Sequence, residues 1–154
     1  MHLENVEQDK IYILEEIYKS NINYFKLENP NIFINYQYIM DDLQLGNDNI
    51  SNYFIKLDDT YVGFIQVMLI NPSDSCTWIG LLLIHHDYQN YGLGTNAINL
   101  LLNNYSKKGY KVFRVGVLLD NTNANKFWKR LNFNYIENKI SNIGIEVEVL
   151  EFKL

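Results

Sequence analysis

An apolar run ending at Ile84, a short polar loop and two glycines ahead of a helical stripe constrain this chain more than any other feature. The stretch reads Gly80-Leu-Leu-Leu-Ile-His-His-Asp-Tyr-Gln-Asn-Tyr-Gly-Leu-Gly-Thr95. Its first part is apolar enough for a strand buried on both faces. Beyond Gly94, residues Ala97, Ile98, Leu101, Leu102 and Tyr105 recur at helical spacing and close on Lys107-Lys108-Gly109, which puts cations in the last turn and a glycine just past the end. A strand that feeds a glycine-rich bend into a helix start exposes main-chain N–H groups at the positive end of the helix dipole. Such a bend binds anions, and glycine at 92 and 94 lets phosphate oxygens approach where a Cβ would keep them away. A tight turn that needs positive φ and binds nothing satisfies the same residues, so the motif alone leaves both readings open.

The flanking sequence changes period. Ile11, Leu14, Tyr18, Ile22 and Phe25 predict a helix over about Gln8 to Lys26, broken by Asn29-Pro30-Asn31, and a second helix spans about Tyr36 to Leu45 with a left-handed cap at Gly46-Asn47. Three β-rich runs follow, Tyr53–Leu57, Tyr61–Ile70 and Cys76–Ile84, joined by turn chemistry at Asp58-Asp59-Thr60 and Asn71-Pro72-Ser73-Asp74. They predict an antiparallel meander. After the long helix come a strand over Val112–Leu118, a helix carrying Ala124, Phe127, Trp128 and Leu131 with Asn132 suited to its left-handed cap, and strands near Tyr135–Ile140 and Ile145–Phe152. The order ααβββαβαββ predicts a mixed α/β layer over one domain, residues 1–154.

Composition narrows the function classes. Only 13 basic residues face 18 acidic ones, a net charge of −5, and no basic cluster exceeds a pair such as Lys107-Lys108, which argues against nucleic acid as the partner. No apolar run approaches a membrane span, and the N-terminus lacks the basic flank and apolar core of a signal peptide. Cys76 is the single cysteine, so no internal disulfide forms and a reducing cytoplasm is expected. His85 and His86 are adjacent and no Cys/His or carboxylate cluster has metal spacing, so no metal is expected.

The bend also satisfies Gly92-x-Gly94-x-x-Ala97, the dinucleotide fingerprint, but it sits mid-chain after an antiparallel meander and Val115-Gly116-Val117 offers no ribose-binding acid. That reading, a nucleotide-binding oxidoreductase, is disfavoured. A P-loop is excluded because no Gly-Lys-Ser/Thr follows the glycines. Instead, Gln89-x-x-Gly92-x-Gly94 after a buried strand resembles the signature of the GNAT acyltransferase family. Asn121-x-x-Ala124-x-x-Phe127-Trp128-x-x-x-Asn132-Phe133 is similar to that family's second segment, and the two matches together cover about Cys76 to Tyr135.

The resemblance implies the GNAT fold: a central, mostly antiparallel sheet splayed at the coenzyme site, with helices on both faces. It implies acetyl transfer from acetyl-CoA to a primary amine, whether small molecule, peptide N-terminus or lysine, and a homodimer of the kind frequent in such families. Main-chain amides of Gln89, Asn90, Tyr91, Gly92, Leu93, Gly94 and Thr95 would wrap the CoA pyrophosphate. Leu82 and Ile84 would pair with the pantetheine arm, the Leu82 N–H would polarise the thioester, Asn121 would reach a pantetheine amide, and Phe127 and Trp128 would border the thioester end. A core stripe for Phe127 and Trp128 and a helix cap for Asn121 fit the residues equally well. The match fails at the acid/base slots, where Trp78 stands for the family's Glu and Trp128 for its Tyr; an indole N–H donates but shuttles no proton. His85, Tyr91, Tyr135 and Glu146 are substitute candidates. A non-catalytic acyl-CoA sensor is the competing function.

Overall fold

The computed structural model describes residues 1–154. Seven strands form one sheet in the order β1-β2-β3-β4-β5-β7-β6. These are β1 (His2–Asn5), β2 (Ile50–Leu57), β3 (Thr60–Met68), β4 (Thr77–Ile84), β5 (Val112–Leu118), β6 (Asn134–Ile140) and β7 (Glu146–Lys153). Five α-helices complete the chain: α1 (Ile11–Ser20), α2 (Ile22–Glu28), α3 (Tyr36–Leu43), α4 (Leu93–Ser106) and α5 (Thr122–Arg130). The expected meander is β2-β3-β4, and the only parallel pair is β4 with β5. No helix is long and apolar enough to cross a membrane.

Apolar residues on each face are covered by a different set of helices. Ile55, Val62, Ile65 and Phe113 pack under α4 and α5 with Ala97, Ile98, Leu101, Trp128 and Phe133. Phe54, Phe64, Leu81 and Leu83 pack under α1–α3 with Leu14, Tyr18, Phe25 and Ile39. Strand β4 changes sides partway along. Its register against β3 jumps from Gln66↔Leu81 to Val67↔Ile79, leaving Gly80 as the extra residue of a bulge. A bulge shifts the side-chain alternation by one, so Ile79 faces α4 and α5 whereas Leu81 and Leu83 face α1–α3.

Three expectations are corrected. The single helix over Gln8 to Lys26 is a 3₁₀ turn (Gln8–Lys10) followed by two α-helices that meet at Asn21. There, Ser20 Oγ and Asn21 Nδ2 both donate to the Ile17 carbonyl, at 2.8 and 2.9 Å, and the Asn21 N–H turns to Tyr18 O. Local side-chain donors thus replace the helical bond that would have continued the turn. Helix α3 stops at Leu43, with Gln44 rather than Gly46 in the left-handed capping position. Finally, β1 was not expected, because four residues carry no readable period. It is pinned to the sheet through Glu4, which accepts from Tyr61 at 2.9 Å and lies 3.3 Å from Lys10 and 3.6 Å from Lys56.

Candidate functional site

Strands β4 and β5 pair only at Thr77↔Phe113 and Trp78↔Arg114, and beyond the Gly80 bulge they diverge. His85 N donates to Val62 O at 2.8 Å, so alternate residues along this end of β4 bond to β3 and Leu82 and Ile84 direct their main-chain groups toward the gap. The gap opens into two adjoining spaces. A cavity of about 160 Å³ is walled by Gly80, Leu82, Val115, Gly116, Val117, Asn121, Phe127 and Trp128, and by Tyr24 and Glu28 of α2. A cleft of about 580 Å³ continues over the bend, lined by Asn21, Ile84, Gln89, Asn90, Gly92, Leu93, Gly94 and Thr95, and by Asn123 and Arg130 of α5. Leu82, Ala124 and Phe127 border both.

The bend is built to leave donors free. Gly92 caps α4 at φ 75° and Asn90 also lies at positive φ, 68°. Alternating left- and right-handed residues turn successive N–H groups to one side. None of the N–H groups from Asn90 to Thr95 donates to any protein acceptor, so their partner must come from outside the chain. A Cβ on Gly92 would meet nothing within 4 Å, because it would project into open space at the bend. Gly94 has a different reason to be glycine, since its Cβ would sit 3.3 Å from the Phe127 ring. The cleft is lined by Arg130 and by no carboxylate, in a chain of net charge −5.

The other expected residues divide into those beside the gap and those elsewhere. Gln89 does not offer a free amide: its N–H bonds to His86 O at 3.3 Å. Its side chain donates to Ile84 O at 2.9 Å and Asn21 Oδ1 at 3.1 Å, and Asn21 Nδ2 donates to Ile84 O at 3.0 Å. The Ile84 carbonyl is therefore engaged, which leaves only its N–H free toward the gap. Tyr91 is 76% exposed and its side chain lines neither space. Asn121 does cap α5, accepting from Ala124 N at 3.1 Å, and it also borders the cavity, so its two readings are compatible. Phe127 and Trp128 belong to the core and to the cavity wall at once. The Trp128 indole N–H has no acceptor in the protein and is not sealed from solvent.

Trp78 is absent from the cavity wall. Its indole donates to Asp74 Oδ2 at 2.9 Å, the same oxygen that Arg114 Nη1 reaches at 3.0 Å, and Lys139 stacks on the ring at 5.4 Å. Arg114 continues to Glu151 at 2.8 Å. This network makes the Trp78 slot a sheet-face anchor. The substitute candidates also lie outside the cavity: His85 caps the 3₁₀ turn His86–Tyr88, Tyr135 is exposed on β6, and Glu146 lines a separate surface hollow with Leu119 and Asp120. No group of three His, Cys, Asp or Glu is placed to hold a metal.

Of the aromatic residues Tyr24, Phe25, Phe33, Tyr36 and Tyr38, which the sequence offers for an acceptor pocket, only Tyr24 lines the cavity; sequence reasoning missed Asn21, Arg130 and Glu28. Asn21 and Glu28 reach the gap from the α1–α2 junction and from α2, far from it in the chain, whereas Arg130 shares α5 with Phe127 and Trp128 and lies in that helix's basic last turn. Burial and the nearby Asp42 push the Glu28 carboxyl above its ordinary pKa. Burial, then Glu28 and Asp42, push the Tyr24 phenol up as well.

Comparison with known proteins places this geometry. The profile of the acetyltransferase (GNAT) family matches residues 14–133. An acetyltransferase from Thermus thermophilus is 21% identical, with a TM-score of 0.81 over 99% of this chain and 96% of its own. The Salmonella typhimurium acetyl transferase that modifies the N-terminal serine of ribosomal protein L7/L12 is 14% identical, with a TM-score of 0.81 over 99% of this chain and 94% of its own. The PaiA N-acetyltransferase of Thermoplasma acidophilum, solved with coenzyme A, is 14% identical, with a TM-score of 0.71 over 99% and 98%. No curated protein matches.

Proposed function

The chain belongs to the GNAT acetyltransferase family, and from that premise we propose that it transfers an acetyl group from acetyl-CoA to a primary amine, with the diphosphate held by the bend from Asn90 to Thr95. The observation that carries the residue assignment is the set of N–H groups there with no protein acceptor, facing a cleft lined by Arg130 and no carboxylate. A diphosphate satisfies such donors, and the α4 dipole and Arg130 add to the attraction. Arg130 and Asn123 join the expected set, and Gln89 acts by fixing the bend to β4 and Asn21.

When bound, acetyl-CoA supplies the activated acyl group. The chain's own residues orient it. The Ile84 and Leu82 N–H groups, free of β3 and out of reach of β5, are donors for the pantetheine arm and the thioester carbonyl; one such donor stabilises developing charge in the manner of an oxyanion hole. The Asn121 amide nitrogen, left over from capping, is a further donor beside the cavity. Trp128 has an unpaired N–H at the thioester end, so it can stabilise a thiolate by donation although it cannot protonate one. Phe127, packed beside Gly94, stands between the wide polar cleft and the narrower cavity and borders both. The acceptor enters from the α2 side, where Tyr24 and Glu28 stand.

The reading is tested by thermal denaturation with acetyl-CoA, CoA, NAD and ATP. CoA ligands at 100 times their Kd should add about 2.7 kcal/mol of stability, and thiol release should follow when spermidine, an N-terminal-serine peptide and an Nα-blocked lysine are offered. Stabilisation by NAD alone contradicts the reading.

A further inference from the structure

We infer that Glu28, at the end of α2 and on the wall of the β4–β5 cavity, takes the proton from the acceptor's ammonium group. The inference rests on the acetyl-transfer reading above and fills the position that Trp78 leaves without a base. A lysine-like amine is charged at pH 7, and presenting its neutral form without a base costs about 4 to 5 kcal/mol, so some group or water must hold that proton.

Glu28 is the one carboxylate or imidazole among the residues that wall the cavity. It makes no ion pair or hydrogen bond within the chain, unlike Glu4, Asp74 and Glu151, whose carboxylates are each committed to basic partners. The groups facing it are Asp42 and Tyr38 from α3 and Tyr24 from its own helix; none is a cation. Asp42 is itself tied to Tyr18 by a 2.6 Å bond from the phenol, so it acts on Glu28 through charge alone. Burial and Asp42 raise the affinity of Glu28 for a proton, which moves a carboxylate toward the strength a base needs near neutrality. Glu28 and the Tyr24 ring on the cavity wall, with the charge of Asp42 behind them, favour a cationic acceptor over a neutral or acidic one.

The step balances as follows. The ammonium gives one proton to the Glu28 carboxylate, and its nitrogen forms the C–N bond. As the C–S bond breaks, the departing thiolate takes the second proton from nitrogen, and Glu28 then releases its own to water.

Glu28→Gln tests this, with Glu28→Asp beside it. With spermidine, the serine peptide and the blocked lysine as probes, Glu28→Gln should lower kcat/KM at least 100-fold at pH 7 and leave the Kd for acetyl-CoA within twofold. The deficit should shrink as pH rises toward the amine's own pKa, and Glu28→Asp should recover part of the loss. A readout without cofactor accompanies these. A carboxyl whose folded pKa is raised contributes stability that is full below its unfolded pKa and is lost as pH rises through the folded value. The apo Gln variant should therefore melt no lower than the parent at pH 7 and lose less stability between pH 4 and 7. Activity within threefold of the parent, a deficit independent of pH, or a collapse in acetyl-CoA affinity would each overturn the role of Glu28 while leaving acetyl transfer intact. Absence of turnover by the parent protein on all three amines would overturn both.

Discussion

The two ends of the β4–β5 gap present opposite chemistry. At the wide end the main chain does the work: the N–H groups from Asn90 to Thr95 are free, Arg130 is close, and no carboxylate lines the cleft. At the narrow end side chains do it: Glu28 is present, no lysine or arginine lines the cavity, and the rest of the wall is mostly apolar. The gap is thus polarised, donor-rich at one mouth and acidic at the other, and the proposed diphosphate and amine sites follow that polarity. Main-chain recognition depends on backbone shape and tolerates most side chains; side-chain recognition depends on single residues brought from afar.

Substitutions can break that contrast. The largest effect on binding should come from Gly92→Val, which forces a β-branched residue to φ 75° and projects its side chain over the bend. Losing charge-assisted bonds worth about 1.5 to 3 kcal/mol each predicts a fall in CoA affinity of about 100-fold by calorimetry in a protein that still folds. Trp128→Phe should act on the chemistry and spare binding. Removing the free indole N–H while keeping the aromatic wall should lower kcat about tenfold, below the loss seen for a main oxyanion donor, with the Kd for acetyl-CoA unchanged.

Two smaller changes sharpen the contrast. Asn21→Ala removes the bonds to Ile17 O, Ile84 O and Gln89 that hold the bend against α1. It should cost about 1 to 2 kcal/mol by denaturant titration and weaken CoA binding several-fold through a looser bend. Trp78→Phe should be the mildest. It deletes one bond to Asp74, whose carboxylate keeps the Arg114 and Cys76 contacts, so a loss of about 1 kcal/mol in stability and an unchanged kcat are expected. A large drop in kcat would mean that the sheet-face network, and not the cavity, controls the chemistry.

The same contrast explains what the sequence could reveal. The bend was legible because its chemistry is local: glycine at 92 is needed within a few residues of the strand that ends at Ile84, so spacing exposes it. The meander and α4 were legible because burial on one or both faces imposes a period. Glu28 was not, because its distance from the gap in sequence is spanned only after the sheet assembles, and Arg130 was not, because a cation in a helix's last turn also suits the helix dipole alone. The Gly80 bulge was also hidden. A lone glycine in an apolar run carries no sign that it reverses which face Leu81 and Leu83 occupy, yet that reversal accompanies the opening of the gap. The break at Asn21 was missed because apolar spacing runs through it, while Ser20 and Asn21 compete for the Ile17 carbonyl.

The central claim is that the free N–H groups of the bend hold the diphosphate. Proton–nitrogen correlation spectra of the ¹⁵N-labelled protein, titrated with coenzyme A and then with inorganic pyrophosphate, test it most directly. Downfield movement of the Asn90–Thr95 amides with both ligands, and of Leu82 with coenzyme A only, is the predicted result. Saturable coenzyme A binding that leaves those resonances in place would contradict it.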